Sequence, residues 1–235
     1  SMGVILHALP LEMMIIGGAA AGSMLIGNSG AHIKAIGGGV KTAFKGAKYK
    51  KQDFLDCIFL VSKLMKMLRT EGPVALEPHI EDPKSSSVFS EYPTLLKDTT
   101  LIHLICDSLR LVVVSSGQLD PHAVEDVVDQ AIKTHHHEAV GPADGLQNLA
   151  DALPALGIVA AVLGIVKTMG SIDKPPAILG EMIGSALVGT FLGIFLAYGL
   201  VGPLANRCKQ VIEADGAMYH VAKQIIIASL HGHPQ

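Results

Sequence analysis

The chain has no tryptophan and few charged residues, and both shortages narrow what it can be. Aromatic residues make up 4% and charged residues 17% of its 235 residues, whereas 49% are hydrophobic. The mean hydropathy of +0.43 excludes the disordered class, which needs low hydrophobicity. The net charge of −3 lacks the basic excess of nucleic-acid-binding proteins, so no nucleic-acid partner is expected. The apolar excess points to a membrane protein.

Metal-binding and catalytic patterns are equally scarce. Cys57, Cys106 and Cys208 are too few and too scattered for a disulfide framework or a zinc site. The run 135–138, His-His-His-Glu, could bind metal, but consecutive side chains on a helix point in different directions, which favours a solvated polar face. Because no nucleophile and base stand at a matching spacing, the sequence predicts no enzyme, no cofactor and no metal site.

Long stretches without Asp, Glu, Lys or Arg locate the apolar excess. The longest is the 23-residue run 182–204, which at about 1.5 Å rise per residue crosses the roughly 30 Å hydrocarbon core. A second run covers residues 152–166. Residues 3–27 form a third apolar stretch, interrupted by Glu12, and it lacks the basic start of a signal peptide. We therefore predict an all-α polytopic membrane protein, although buried helices of a soluble protein are the alternative.

Residues 28–150 differ in character, because charges are frequent and apolar residues recur at helical spacing. Strand patterns are nearly absent, so a helical insert is expected. Two predicted apolar faces consist of Phe54, Leu55, Ile58, Val61, Leu64, Met65 and Leu68, and of Ile102, Leu104, Ile105, Leu109 and Val112, the second widened by Leu101 and Leu111.

Turn-forming residues divide this insert. Asp120 and Pro121 predict the start of a third helix. Pro78, Pro83, Pro93 and Ser85–Ser87 predict loop, and Gly37–Gly39 lacks the Lys-Ser/Thr ending of a phosphate-binding loop, so it is interpreted as a turn or flexible joint.

Charges beside the apolar runs set the expected orientation. Six lysines follow the first run before any acid, and Arg207 and Lys209 follow the last, which by the positive-inside rule places these flanks in the cytoplasm. The predicted organisation is a membrane helix over 3–27, a cytoplasmic helical domain over 28–150, a membrane helix over 151–171, a short periplasmic loop over 172–178, a membrane helix over 179–204 and a cytoplasmic tail helix over 205–235.

The charge-free runs 152–166 and 182–204 are the two strong runs. Small residues form one face of each, as in membrane helices that approach closely. They are Ser185, Gly189, Gly193 and Ala197 on one run and Gly157, Ala160, Ala161 and Gly164 on the other. Intramolecular packing and an oligomeric or pore-lining role are both open. Neither strong run has an Asp or Glu at depth, so ion movement would need a carboxylate from a partner.

Several residues have both a structural and a functional interpretation. Thr190 either bonds a carbonyl one turn back or serves the pore. Pro154 fits harmlessly in a first turn after Asp151, whereas Pro203 could kink or end its helix. Arg69, Glu71 and Glu77 flank the break at Gly72-Pro73 and form either a charged surface corner or a face for a partner.

Four segments together resemble the MotA family of bacterial flagellar stator subunits. They are EMMIIGGAAAGSML, KLMKMLRTEGPVALEPHIEDP, DALPALGIVAAVLGIVKTMGSI and LGEMIGSALVGTFLGIFLAYGLVGPLA. The similarity runs over essentially the whole chain in the same order. The related ExbB and TolQ subunits share the architecture but match these loops less well, so an envelope-transport energiser is the alternative function, and a non-conducting scaffold is a third.

The resemblance implies partners and roles. Five copies in the bacterial inner membrane surround two copies of MotB, whose aspartate binds the translocated ion, and the cytoplasmic domain turns the rotor through FliG. The chain matches from just before the second of the family's four membrane helices, so a first helix is absent from it. Pro154, Pro203 and Thr190 fall on ion-pathway or coupling positions, Ala161 on a position where alanine favours protons, and Arg69 and Glu77 on the charges that meet FliG.

Overall fold

The computed structural model describes residues 2–115 and 120–232, and within these ranges it contains helices and no strand. The α-helices are α1 (Met2–Gly27), α2 (Gly30–Lys45), α3 (Lys51–Thr70), α4 (Pro73–Glu81), α5 (Ser87–Ser90), α6 (Pro93–Leu96), α7 (Thr99–Val114), α8 (Pro121–Met169), α9 (Pro176–Leu196) and α10 (Gly202–Leu230). A five-residue π-helix, Ala197–Val201, joins α9 to α10.

Contacts divide the chain into two compact units. Ser1–Gly46 with Val140–Val211 form one, here called the membrane unit, and Ala47–Ala139 with Ile212–Gln235 form the other, here called the insert unit. Residues 28–46, 140–150 and 205–211 thus pack with the apolar helices, although the sequence placed them in the cytoplasmic segments. The predicted tail extends to residue 235, and its last three residues lie outside the described ranges.

The membrane unit contains the apolar runs. Three helices of the described chain are long and apolar enough to cross a membrane, and their candidate spans begin at Ile5, Pro121 and Pro176. Ile16 and Ala20 of α1 pack with Leu153 and Ala160 of α8 and with Leu192 of α9. Large apolar side chains of the same helices face outward, as expected of helices solvated by lipid. The predicted helical polytopic fold is confirmed.

One uninterrupted helix, α8, corrects the interpretation of Pro154. It begins where predicted, with Oδ1 of Asp120 accepting the His122 N–H at 3.1 Å, but it continues for 49 residues across the predicted boundary at 150/151. Pro154 is therefore deep in a helix and not in a first turn. A proline there removes one backbone hydrogen bond and crowds the carbonyl four residues before it.

The glycine run 37–39 lies inside α2, so its interpretation as a joint is wrong. Gly39 is buried against α8 and α10, where a Cβ would lie 2.9 Å from Pro142 Cβ and 3.3 Å from Cys208 Sγ. A Cβ on Gly38 would meet nothing within 4 Å. The glycine at 39 thus permits a close helix contact, which outweighs its low helix propensity.

The insert unit has its own apolar core, built from α3 to α8 and α10 and centred on Phe89, Leu60 and Leu64. The predicted face of α3 was partly wrong, because Leu55 and Ile58 are exposed whereas Cys57 and Leu60 are fully buried.

Two of the predictions that prolines mark loops are also wrong. Pro78 lies inside α4, and Pro93 begins the short helix α6, where its missing N–H costs nothing.

Candidate functional site

The two strong apolar helices meet through glycines. A Cβ on Gly157 of α8 would lie 2.8 Å from the Gly189 carbonyl oxygen, and one on Gly193 of α9 would lie 2.6 Å from the Leu153 carbonyl oxygen. Farther along, a Cβ on Gly164 would lie 2.6 Å from Ala186 Cβ. Real Cβ atoms do not approach so closely, so glycine is needed at each position. The small-residue faces therefore pack against each other within the chain.

Two of the predicted ion-pathway residues, Ala161 and Thr190, are next in sequence to residues of this contact. Ala161 follows Ala160, and Thr190 follows Gly189, and a Cβ on Gly189 would lie 3.2 Å from Ala160 Cβ. Ala161 is buried, and Thr190 is half-buried. Pro154 is half-buried on α8. The structure thus brings the neighbourhoods of Ala161 and Thr190 together at one level of the helix pair.

Pro203 is the second residue of α10, separated from the π-helix by Gly202, and it is exposed. The Gly202 N–H donates to the Ala197 carbonyl five residues back, which inserts one extra residue into the turn. A Cβ on Gly202 would lie 2.8 Å from that carbonyl oxygen. The helix continues to Leu230, so Pro203 does not end it. Because the hydrogen bonding of the turn before Pro203 is already irregular, the helix tolerates a residue that has no backbone N–H to donate.

Glu12 is a functional candidate that the sequence reasoning passed over. Its side chain is only 4% exposed, and its Oε2 is buried with no hydrogen-bond partner among the described residues. It faces α9, because a Cβ on Gly189 would lie 2.5 Å from that oxygen. A charged group within a membrane helix is costly, by about 2.5–3.5 kcal/mol at the helix centre on insertion scales, so an acid kept inside α1 calls for a role.

The two charge-free runs 152–166 and 182–204 do lack an acid at depth, whereas the first apolar stretch contains Glu12. The signal for Glu12 was present, however. It is the one charged residue in a stretch from Ser1 to His32 that is otherwise free of Asp, Glu, Lys and Arg.

A cavity of about 270 Å³ adjoins Glu12 within the membrane unit. Its walls come from α1, α8 and α9, near the turn that joins the last two. Its polar lining consists of His7, Glu12, Lys167, Thr168, Glu181 and Ser185. The Thr168 hydroxyl donates to the Gly164 carbonyl at 2.9 Å, so it presents an oxygen to this space. The cavity is thus a mainly apolar recess into which several polar side chains project.

Arg69 and Glu77 belong to the insert unit and lie on either side of the break between α3 and α4. Both are exposed. The Arg69 guanidinium donates to the backbone carbonyl of Ser229 in the last turn of α10, where the helix dipole favours a cation. Among the described residues neither side chain belongs to an ion pair. Their charges are therefore presented to solvent.

Asp98 holds together the start of the insert unit. Its Oδ2 accepts the Tyr49 hydroxyl at 2.5 Å and the Lys48 ammonium at 3.4 Å, and its Oδ1 caps α7 by accepting the Leu101 N–H at 3.1 Å. Burial acts to raise the pKa of Asp98, but the hydrogen bond from Tyr49, the helix cap and Lys48 outweigh it and lower this pKa. The group is a structural anchor for the unit.

Neither the cysteines nor the histidine run forms a reactive site in the described part of the chain. Burial raises the pKa of the Cys57 and Cys106 thiols to about 12, so little thiolate is present at neutral pH. His135 packs edge-on against Tyr219, with ring centroids 4.9 Å apart. Within the described ranges no three His, Cys, Asp or Glu side chains are placed to hold a metal ion.

Comparison with known families places the chain. The model of the MotA/TolQ/ExbB proton channel family matches residues 98–219, slightly more than half of the chain, and the model of the motility protein A N-terminal region matches residues 1–72. The chain belongs to the MotA/TolQ/ExbB proton channel family. Two relatives, the motility protein A of Salmonella typhimurium and that of Escherichia coli, are each 41% identical over 95% of the chain and 75% of their own length.

Solved structures share the fold. The C. jejuni MotAB structure matches 97% of this chain and 81% of its own with a TM-score of 0.72 at 18% identity. The flagellar MotAB stator complex of Bacillus subtilis matches 95% and 79% with a TM-score of 0.67 at 22% identity. The resemblance to the MotA family is therefore confirmed. The functional roles of Pro154, Pro203, Thr190, Ala161, Arg69 and Glu77 stay predictions.

Proposed function

We propose that this chain is the membrane subunit of a flagellar stator, which conducts protons together with a MotB-type partner and converts their flow into torque. The observation that carries the proposal is the 41% identity to motility protein A over 95% of the chain. The two MotAB structures with the same fold support a MotB-type partner. An ExbB- or TolQ-type transport role is not favoured, because the relatives similar over more than nine-tenths of the chain include motility and chemotaxis proteins.

The proposed location is the bacterial inner membrane. Helix α1 and the apolar parts of α8 and α9 cross it, and the insert unit lies in the cytoplasm on the side of the lysine-rich flank. Membership of a proton channel family gives the chain a role that needs no catalysis. The absence of an enzymatic activity stays a prediction.

Five copies around two MotB helices are the proposed assembly. Large side chains of the membrane unit point outward, and they are available to neighbouring copies, to MotB and to lipid. They include Val159, Val162, Val166, Leu187 and Phe191. With no acid at depth in α8 or α9, the MotB aspartate is the proposed carrier of the translocated ion. A five-fold particle with two central helices in images of the purified complex is expected, and any other symmetry would contradict this stoichiometry.

The coupling ion is proposed to be the proton. Ala161 is buried next in sequence to Ala160, and a small apolar side chain supplies no oxygen ligand for sodium. Vesicles containing this chain and MotB should take up protons when a membrane potential is imposed, and vesicles without MotB should not. Swimming speed in cells should follow the proton-motive force. A speed that follows the sodium gradient would overturn the ion assignment.

Rotor contact is proposed for the exposed pair Arg69 and Glu77, which present opposite charges to FliG. Arg69→Glu should reduce motility, and a charge reversal on FliG should restore it. Lys51→Glu is the matched control, because Lys51 is an exposed cation at the opposite end of the same helix. Equal motility of the two variants would refute the assignment of Arg69 to the rotor contact.

A further inference from the structure

The membrane unit contains a carboxyl group of its own, in the wall of a cavity that also carries other polar side chains. Glu12 lies on α1 with one oxygen buried and unpartnered among the described residues, and it lines the cavity together with Ser185 of α9 and Thr168 of α8. The other wall residues at the α8–α9 turn, Lys167 and Glu181, are exposed. The cavity therefore extends from a rim that includes these two charged side chains inward to Glu12.

The titratable groups that share this cavity do not pair with Glu12 in the described chain. They are His7 on α1, Lys167 on α8 and Glu181 on α9. His7 Nδ1 is instead 2.9 Å from the Gly3 carbonyl oxygen, and no ion pair joins Lys167 to Glu12. A buried carboxyl group needs a counter-ion or a proton, and here the proton is the partner that the structure leaves room for.

Glycine at 189 makes space for this group. A Cβ at that position would lie 2.5 Å from Glu12 Oε2 and 3.2 Å from its Cδ. The carboxyl group is thus directed into the contact between α1, α8 and α9, at the level of the small-residue seam. It does not extend outward along α1, as an acid avoiding the hydrocarbon would.

We propose that Glu12 is a proton-binding site of this subunit, reached through the cavity from the α8–α9 turn. A hydronium ion in the cavity gives its proton to the Glu12 carboxylate, leaving water and a neutral carboxylic acid, and release reverses the step. The proposal rests on the proposed channel function and goes beyond it, because there the ion-binding carboxylate belongs to the partner. Each subunit of the ring would then hold a protonatable group in addition to those of MotB.

Cysteine labelling in the complex with MotB tests the access route. In a background with Cys57, Cys106 and Cys208 replaced, Ser185→Cys should react with a cationic, membrane-impermeant thiol reagent from the side of the α8–α9 turn. The matched control is Met14→Cys. Met14 belongs to the same membrane unit and is 74% exposed, but it faces outward, where lipid excludes the reagent. Reaction at Ser185→Cys at least tenfold faster than at Met14→Cys supports the route, and equal rates overturn it.

Carbodiimide labelling tests the proton site without altering it. A hydrophobic carbodiimide adds to a protonated carboxyl group, so mass spectrometry of the wild-type complex should find the adduct on Glu12, increasing as the pH falls. The exposed acid Glu138 of the insert unit should stay unlabelled. Absence of a pH-dependent adduct on Glu12 contradicts the proposal.

Proton flux into vesicles separates this proposal from the proposed function. With MotB present, Glu12→Gln should reduce flux at least tenfold, Glu12→Asp should retain part of it, and Glu138→Gln should leave it unchanged. If the wild type carries no protons, the channel function itself fails. If the wild type conducts and a co-purifying Glu12→Gln variant conducts equally, only the proposal for Glu12 fails.

Discussion

Glu12 Oε2 occupies the space that a side chain on Gly189 would need, 2.5 Å from where its Cβ would stand. This relationship joins two parts of the chain that are 177 positions apart, and it links an acid in the first apolar helix to the glycine seam of the last. The small residue at 189 thus serves two contacts, one with the carboxyl group of α1 and one with Ala160 of α8.

Gly189→Ala should destabilise the membrane unit by about 1–3 kcal/mol, because the added methyl group overpacks the three-helix contact. Gly180→Ala on the same helix is the control, since a Cβ there meets nothing within 4 Å, and it should gain about 0.5–1 kcal/mol in helix propensity. Thermal unfolding of the detergent-solubilised complex measures both. Adding Glu12→Ala should recover part of the loss at Gly189, and strictly additive effects would argue against a direct contact.

Neighbouring glycines of α2 should respond in opposite directions. Gly39→Ala should lower the unfolding temperature, because its methyl group would lie 2.9 Å from Pro142 Cβ. Gly38→Ala should raise it through a propensity gain of about 0.5–1 kcal/mol, since that position is open. The pair differs by one residue in the same helix, so a shared effect on α2 alone cannot account for opposite signs. Equal shifts would show that α2 does not pack closely at residue 39.

Asp98→Asn should cost the insert unit about 1–3 kcal/mol at neutral pH, because Tyr49 and Lys48 lose a charged acceptor. The pKa of Asp98 is lowered in the folded chain, so its contribution is full above the unfolded pKa of about 4 and is lost as the pH falls through the folded value.

Hydrogen exchange of α7 measures this effect across the acid range. The stability of the wild type should fall more steeply with decreasing pH than that of Asp98→Asn, and the two should converge at the lowest pH. Asp107→Asn, which replaces an exposed acid of the same helix, is the control and should leave the neutral-pH protection nearly unchanged. Parallel pH profiles for wild type and Asp98→Asn would mean that Asp98 is not the titrating group.

Pro203→Ala should allow assembly but slow rotation. Proline has no backbone N–H, and the π-helix accommodates that missing donor, whereas an alanine would restore it. Pro176→Ala is the matched control, since Pro176 stands in the first turn of α9, where the missing N–H costs little. Tethered-cell rotation and co-purification with MotB are the two measurements. Normal rotation of a Pro203→Ala motor would refute a coupling role for this proline.

The apolar helices could be predicted because membrane length and the absence of charge are strong, local signals. The small-residue faces of the two runs were likewise visible as spacing, but the sequence left their partner open, and only the structure places Gly157 against Gly189. The face that α3 buries could not be predicted, because apolar residues cover more than one side of this helix. Only tertiary packing buries Cys57 and exposes Ile58. The prediction at Gly39 was wrong because the low helix propensity of glycine suggests a break. Glycine at this position instead allows close packing against Pro142, which is remote in sequence.

Glu12 shows a different limit of sequence reasoning. An acid in an apolar run weakens the prediction of a membrane helix, so by pattern alone Glu12 is an interruption of the run. Its burial and its cavity depend on residues of α8 and α9, whose register against α1 no local pattern reveals. A single acid in a span is therefore better treated as a candidate site from the start.

The extra residue in the turn at Ala197–Val201 amounts to a dislocation in an otherwise regular helix. If such a dislocation moves along the helix, the residues it passes rotate by about 100° around the axis, while those on either side keep their places. Pro203 limits its travel in one direction, since a regular turn there would require a backbone donor that proline lacks. A short stretch of α9 could then exchange the side chains it presents without any helix unfolding.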